Sequence, residues 1–289
     1  MTVRQTCVMR LDLATVPGDP QRPNEDYASI ALPASGQGGA LVLLDGVTPP
    51  PDPYGCSHSV PWFTARLGGA LLELSGSRRD MPLADCLAAA ITRTADAHRD
   101  TCDLSHVRTP QATVVVVRWD ADRVEHLVLS DSSLLIEAPD GTVTPVLDSR
   151  LDELPHSVRA LRAAARALPH GSAERRAAGA EYGRAVEALR NAEGGFFTAA
   201  ADPDVARRAV TGTTPRTAVR ALAALSDGAT RWVEIFREGD WTESFALLRK
   251  EGTQALLDRV RAAEDADPDG VTFPRGKLHD DATAIYAEL

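Results

Sequence analysis

The sequence predicts an α+β fold, a four-layer α-β-β-α sandwich of two antiparallel sheets flanked by helices. Two observations point there. Valine- and leucine-rich runs of strand length alternate with groups of amphipathic helical segments, in the order strands, two helices, strands, two helices, strand, three helices, strand. Strands that are neighbours in sequence are joined by tight turns such as Asp140-Gly141, which pairs them antiparallel and argues against a doubly wound nucleotide-binding sheet. At 289 residues the chain can bury a substantial core, and it reads as a single domain over 1–289 with a helical insertion or lid at about 151–192.

The elements follow in order. Residues 3–13 mix β-branched and polar side chains and read as a first strand. Pro17 to Asp26 is a polar loop broken by prolines. Tyr27 to Leu32 and Leu41 to Leu44 form a hairpin around Gly36-Gln37-Gly38-Gly39, glycines that lack the Lys-Ser/Thr of a phosphate loop. Thr48 to Gly55 is proline-rich loop. Ser59 to Leu74 and Leu83 to His98 carry apolar residues at helical spacing. Strands are predicted over Ala112 to Trp119, Val124 to Ser130, Leu134 to Glu137 and Val143 to Leu147. Leu154 to Leu168 and Ala173 to Leu189 are charged helices, open to reading as a lid or as a plain structural hairpin. Phe196 to Thr198 returns to strand character, and Pro203 to Val210 reads as a short helix. Thr217 to Leu225 is a strand, followed by helices over Ala229 to Phe236, Thr242 to Lys250 and Thr253 to Ala266, and by a final strand from Thr283 to Ala287.

Composition narrows the function classes. A 44% apolar and 25% charged chain is that of an ordinary globular protein. The net charge of −10 argues against binding to nucleic acid or an anionic membrane. No run approaches the roughly 20 apolar residues of a membrane span, and no apolar signal segment follows Arg4 and Arg10. Cys7, Cys56, Cys86 and Cys102 form no CxxC pair and no zinc-finger spacing. Scattered cysteines suit a reducing compartment, so a cytoplasmic location is expected.

The chemistry is concentrated in carboxylates at the ends of apolar runs. Leu41-Val42-Leu43-Leu44 runs into Asp45-Gly46, His126 to Leu129 into Ser130-Asp131-Ser132, and Ala221 to Leu225 into Ser226-Asp227-Gly228. Asp280-Asp281 precedes the last strand, and Glu25-Asp26 precedes the second. A lone aspartate in a loop is ordinarily a turn or cap residue. Three aspartates that each end a buried strand and precede Gly or Ser are not explained as turn formers alone. An all-oxygen set of this size suits Mg²⁺ or Mn²⁺, since hard cations take carboxylates and water.

In this order the motifs Arg22-Pro23-Asn24-Glu25-Asp26, Leu43-Leu44-Asp45-Gly46, Leu129-Ser130-Asp131-Ser132, Leu225-Ser226-Asp227-Gly228 and Asp280-Asp281-Ala282-Thr283 resemble those of the metal-dependent serine/threonine protein phosphatases of type 2C, in their bacterial form. The resemblance spans nearly the whole chain. It implies a phosphomonoester hydrolase with two Mg²⁺ or Mn²⁺ ions and a weaker third site. Asp45 would be shared by two ions and the Gly46 carbonyl would bind one of them. Asp227 and Asp280 would complete the first site, and Glu25 and Asp26 would act mainly through water. Asp131 with Asp227 would hold the third ion, and Arg22 would grip the substrate phosphate with its guanidinium. The substrate would be a protein phosphorylated on serine or threonine, with a partner kinase to be expected.

Paired cations lower the pKa of a bridging water, so the resemblance implies in-line attack of hydroxide on phosphorus with no phosphoenzyme. Departures are visible. Val47-Thr48-Pro49-Pro50-Pro51 replaces a small-residue stretch, Ser130 stands where glycine is usual, and Asp281 where asparagine is common. His58 and His106 are near the motifs and open to reading as proton shuttles or as plain loop residues. A haloacid-dehalogenase-like reading of Leu41 to Thr48 fails, because it needs an aspartate where Val47 stands. The alternatives are a catalytically weak phosphatase-like binding module and a phosphatase acting on a small phosphorylated metabolite.

Overall fold

The computed structural model describes residues 9–34, 38–50, 55–169 and 171–289. Along the chain these form β1 (Arg10–Val16), β2 (Tyr27–Ala31), β3 (Gly39–Leu44), α1 (Val60–Ser77), α2 (Leu83–Asp96), β4 (Val114–Trp119), β5 (Arg123–Leu129), β6 (Ser133–Glu137) and β7 (Val143–Val146). Then come α3 (His156–Ala167), α4 (Ala173–Glu187), β8 (Val210–Pro215), β9 (Ala221–Leu225), α5 (Asp227–Glu234), α6 (Trp241–Glu251), α7 (Thr253–Ala266) and β10 (Ala282–Glu288). One five-stranded sheet has the order β1-β10-β9-β6-β7 and the other β2-β3-β4-β5-β8. Every strand pair is antiparallel. The predicted α+β sandwich is therefore the observed one.

The uninterrupted apolar strands are explained by burial on both faces. Successive side chains of a strand point to opposite sides. In β3 and β4, Leu41, Leu43, Val115 and Val117 meet Leu222, Ala224 and Ile285 of the facing sheet. The alternate residues Val42, Leu44, Val114 and Val116 pack under Phe63, Leu67, Leu71, Leu87 and Ile91 of α1 and α2. On the other outer face, Ala223, Leu225, Ala284 and Tyr286 lie under Phe245, Leu257 and Val260 of α6 and α7.

Three expectations are corrected. The segment Phe196 to Thr198 makes no strand and contributes only an isolated bridge, Arg190 with Phe196; Ala199 beyond it bridges Ala112. Val210 begins an edge strand, β8, instead of ending a helix; only a 3-10 turn over Pro203–Arg208 precedes it. The first strand runs on to Val16, and its predicted beginning over residues 3–8 falls outside the described residues, as do Gly36-Gln37 and Pro51 to Tyr54. The strands over 114–146 divide between the sheets: β4 and β5 pair in one, β6 and β7 in the other. The chain crosses between sheets at Ser130-Asp131-Ser132.

Candidate metal centre

That crossing sets the geometry of the site. Asp45 leaves the end of β3 in one sheet, and Asp131 lies in the link from β5 to β6. Asp227 follows β9 and Asp280 precedes β10, both central strands of the other sheet. All four, with Gly46, line one cleft of about 460 Å³ between the sheet ends. Asp45 is fixed from both sides: its N–H donates to Thr113 Oγ1 at 3.2 Å, and the Asp227 N–H reaches its Oδ2 at 3.4 Å. Asp227 opens α5, where a carboxylate suits the helix dipole. Ser226 just before it donates and accepts across β10, with the Thr283 N–H on its Oγ at 2.9 Å.

The two glycines that follow these aspartates have a packing cause. A Cβ on Gly46 would lie 2.5 Å from the Glu25 carbonyl oxygen and equally close to Val60. One on Gly228 would lie 2.0 Å from the Asp281 carbonyl oxygen. At each place the backbones flanking two neighbouring strands of one sheet, β2 and β3 or β9 and β10, approach more closely than a side chain allows. Ser130, standing where glycine is usual in the resembling family, takes φ +69° and spends its hydroxyl on Asp131 Oδ1 at 3.2 Å. A left-handed non-glycine residue beside a candidate ligand is backbone strain held in place by its surroundings.

Glu25 lines a smaller recess next to the cleft, together with Arg22, Thr48, Lys277, Asp280 and Asp281. Arg22 sits at its exposed rim. Asp26 lines neither; its Oδ2 accepts from Thr283 Oγ1 at 2.6 Å, and its Oδ1 is buried without a hydrogen-bond partner among the described residues. Asp281 proves to be a scaffold residue. Its two carboxylate oxygens accept the N–H groups of Gly18 at 2.8 Å and Glu25 at 2.7 Å, stapling the Arg22 loop onto β10. His58 and His106 do not line the cleft or the recess.

Residues the motifs did not single out complete the site. Arg231 on α5 donates to Asp280 Oδ2 at 2.9 Å and to Glu264 Oε1 at 2.6 Å, and Arg261 holds the other Glu264 oxygen. Lys277 bridges Asp280 Oδ1 at 2.6 Å and Thr48 Oγ1 at 2.9 Å, and Thr48 in turn donates to Glu25. Glu234 also lines the cleft, two turns beyond Asp227 on α5. Asp227, Thr230, Arg231 and Glu234 stand at helical spacing, a polar stripe that periodicity could have revealed. Arg162, Tyr182 and Val186 of the α3–α4 hairpin line one side of the cleft, with Arg190 just beyond the hairpin.

The electrostatics are those of charges forced together out of water. Burial raises Asp45 well above the usual carboxylate range, and repulsion from Asp227, Asp26, Asp131 and Asp280 raises it further. Burial pushes Asp227 up to about 7, assisted by Asp280 and Asp131. Asp26 also reaches about 7, through burial and then the charges of Asp281 and Asp227. Asp131, Glu25 and Glu234 are raised mainly by burial. Lys277 and Arg231 supply too few positive charges for this set. Bound divalent cations would remove the repulsion, and an all-oxygen donor set with an orphaned buried carboxylate oxygen fits them.

No protein-family model and no curated protein matches this sequence. Solved structures do match it along its length. The chain is similar to the serine/threonine phosphatase Stp1 from Staphylococcus aureus, at 16% identity and TM-score 0.58 over 98% of this chain and 96% of that one. It is similar to the serine/threonine phosphatase PstP/Ppp of Mycobacterium tuberculosis at 18% identity and TM-score 0.53, over 98% and 99% of the two chains. A catalytic domain of PstP solved in complex with 2 manganese ions matches at 17% identity and TM-score 0.53, over 97% of each chain. The fold is thus that of the type 2C serine/threonine phosphatases.

Proposed function

We propose that this chain is a metal-dependent phosphomonoester hydrolase acting on proteins phosphorylated at serine or threonine. The observation that carries the reading is Asp45, a half-buried carboxylate at a sheet end that lines an open cleft with Asp131, Asp227 and Asp280 and is repelled by them and by Asp26. The fold shared with protein phosphatases, one of them holding 2 manganese ions, supports it. Asp45, the Gly46 carbonyl, Asp227 and Asp280 would hold two Mg²⁺ or Mn²⁺ ions, with Glu25 and Asp26 acting through water. Asp131 with Asp227 would take a weaker third ion. When bound, such ions activate water and neutralise phosphate charge.

The chain's own groups do the rest. Arg22, at the rim of the recess that holds Glu25, binds and orients the phosphate through its fork of donors. Lys277 and Arg231 hold the two Asp280 oxygens from opposite sides, so this carboxylate is positioned before any ligand arrives. The α3–α4 hairpin narrows access beside the cleft and faces the polypeptide around the phosphorylated residue. On this reading the substrates are cytoplasmic phosphoproteins made by a partner kinase. Among the described residues no helix is long and apolar enough to cross a membrane.

The test is hydrolysis of p-nitrophenyl phosphate and of phosphoserine and phosphothreonine peptides with Mn²⁺, with and without EDTA. Turnover that EDTA abolishes and Asp227→Asn cuts at least a hundredfold is expected. Absence of metal-dependent turnover, or full activity in Asp227→Asn, would overturn the proposal. Faster turnover of sugar or nucleotide phosphates than of peptides would move the substrate class to small metabolites.

A further inference from the structure

We propose that Cys56, His58 and Cys102 form a zinc-binding site, separate from the carboxylate cluster, that pins the segment just before α1 to the loop after α2. The two cysteines are 46 positions apart in sequence numbering and meet because α1 and α2 pack as an antiparallel pair. His58 Nδ1 is 3.7 Å from Cys56 Sγ and 3.3 Å from Cys102 Sγ. All three donor atoms lie within 4.8 Å of one another. In a tetrahedral site with bonds of about 2.3 Å to sulfur and 2.0 Å to nitrogen, sulfur and nitrogen stand roughly 3.5 Å apart. The observed separations straddle that value.

The three donor atoms converge on one point. A ring nitrogen carries one proton or one lone pair, and here two sulfurs approach the same one. A cation at the centre satisfies all three. The surroundings are built in the manner of a thiolate site. Backbone N–H groups point at both sulfurs, Ser57 at Cys102 and His58 at Cys56, each at 3.4 Å. The imidazole is fixed by stacking on Trp62 at 4.0 Å and by the edge of His98, whose Nδ1 is tied to the Thr94 carbonyl at 2.7 Å. The Asp103 N–H donating to the Gly55 carbonyl at 2.8 Å already joins the two loops beside the site.

Two thiolates and an imidazole select zinc over the Mg²⁺ or Mn²⁺ that suit the carboxylates. All three residues are half-buried.

Cobalt reports sulfur ligation directly. The reduced full-length protein, saturated with Mn²⁺, is titrated with Co²⁺ and then with Zn²⁺. We expect an ultraviolet thiolate-to-cobalt charge-transfer band with tetrahedral visible bands, saturating at one equivalent and abolished by Zn²⁺. Cys56→Ser and Cys102→Ser should each remove the charge-transfer band or leave at most half of it, and Zn²⁺ should raise the melting temperature of the wild type only. No charge-transfer band in the wild type would overturn the proposal. So would a band unchanged in both serine variants, or a Cys56–Cys102 disulfide in the oxidised protein whose reduced form retains no zinc. The wild-type titration is decisive even where a variant fails to fold, and whether or not the chain hydrolyses phosphate esters.

Discussion

Replacing Arg231 by methionine separates two roles that meet in one side chain. Arg231 is 7% exposed and Glu264 is fully buried, joined at 2.6 Å, while the other guanidinium nitrogen holds Asp280 at 2.9 Å. Removing one partner of a buried ion pair typically costs about 3–5 kcal/mol, because a charge is left without compensation. Arg261 still satisfies the second Glu264 oxygen, at 2.5 Å, so the low end applies. For a chain of this size, about 3 kcal/mol lowers the melting temperature by roughly 6 °C. Asp280 also loses an orienting donor, and loss of such an outer partner lowers metal affinity about 10- to 100-fold. Thermal melts and Mn²⁺ calorimetry read the two effects separately. Adding Glu264→Gln should recover most of the melting temperature and none of the Mn²⁺ affinity. Melting of Arg231→Met within 2 °C of the wild type, or Mn²⁺ affinity within twofold, would refute the reasoning.

Metal-free protein should lose stability as pH rises. Asp26 and Asp227 stand at about 7 in the folded chain, against roughly 4 when unfolded. Between those values the folded state binds more protons, so stability falls by up to about 1.4 kcal/mol per pH unit for each group. EDTA-treated protein should therefore melt higher at pH 5 than at pH 7.5, with Mn²⁺ restoring the loss at pH 7.5; a melting temperature rising over that window would contradict this. Asp281→Asn restores the residue common in the resembling family, yet an amide has one acceptor oxygen for the two N–H groups of Gly18 and Glu25. It should destabilise by about 1–3 kcal/mol, seen in urea melts, and a variant as stable as the wild type would show that the staple is dispensable.

What the sequence made legible follows from how each residue is placed. Asp45, Asp131, Asp227 and Asp280 adjoin strands buried on both faces, and that burial is written locally as unbroken apolar runs. Lys277 stands only three residues before Asp280, but in an irregular loop with no periodicity to mark it, while Arg231 and Glu264 lie on two different helices that only packing brings together. β8 escaped because it is an exposed edge strand of threonine, glycine and proline with no apolar alternation. The Cys56, His58 and Cys102 group looked scattered because no local spacing records the packing of α1 on α2. Asp281 was visible, but whether it faces an ion or a backbone amide depends on a loop more than 250 residues away.

The chain's passage from β5 to β6 has a consequence for how the molecule comes together. Neither sheet alone owns the cleft: Asp45 belongs to one, Asp227 and Asp280 to the other, and Asp131 to the link between them. In the second of these sheets β10 lies between β1 and β9, and its Thr283 meets Thr15 of β1 across 268 residues. Contacts so distant in sequence form late and slowly. The carboxylates are thus kept apart, each tolerable in water, until the two sheets close on one another. Cation binding, where it occurs, arrives at that closing step and acts as a clasp: it should slow unfolding far more than it speeds folding.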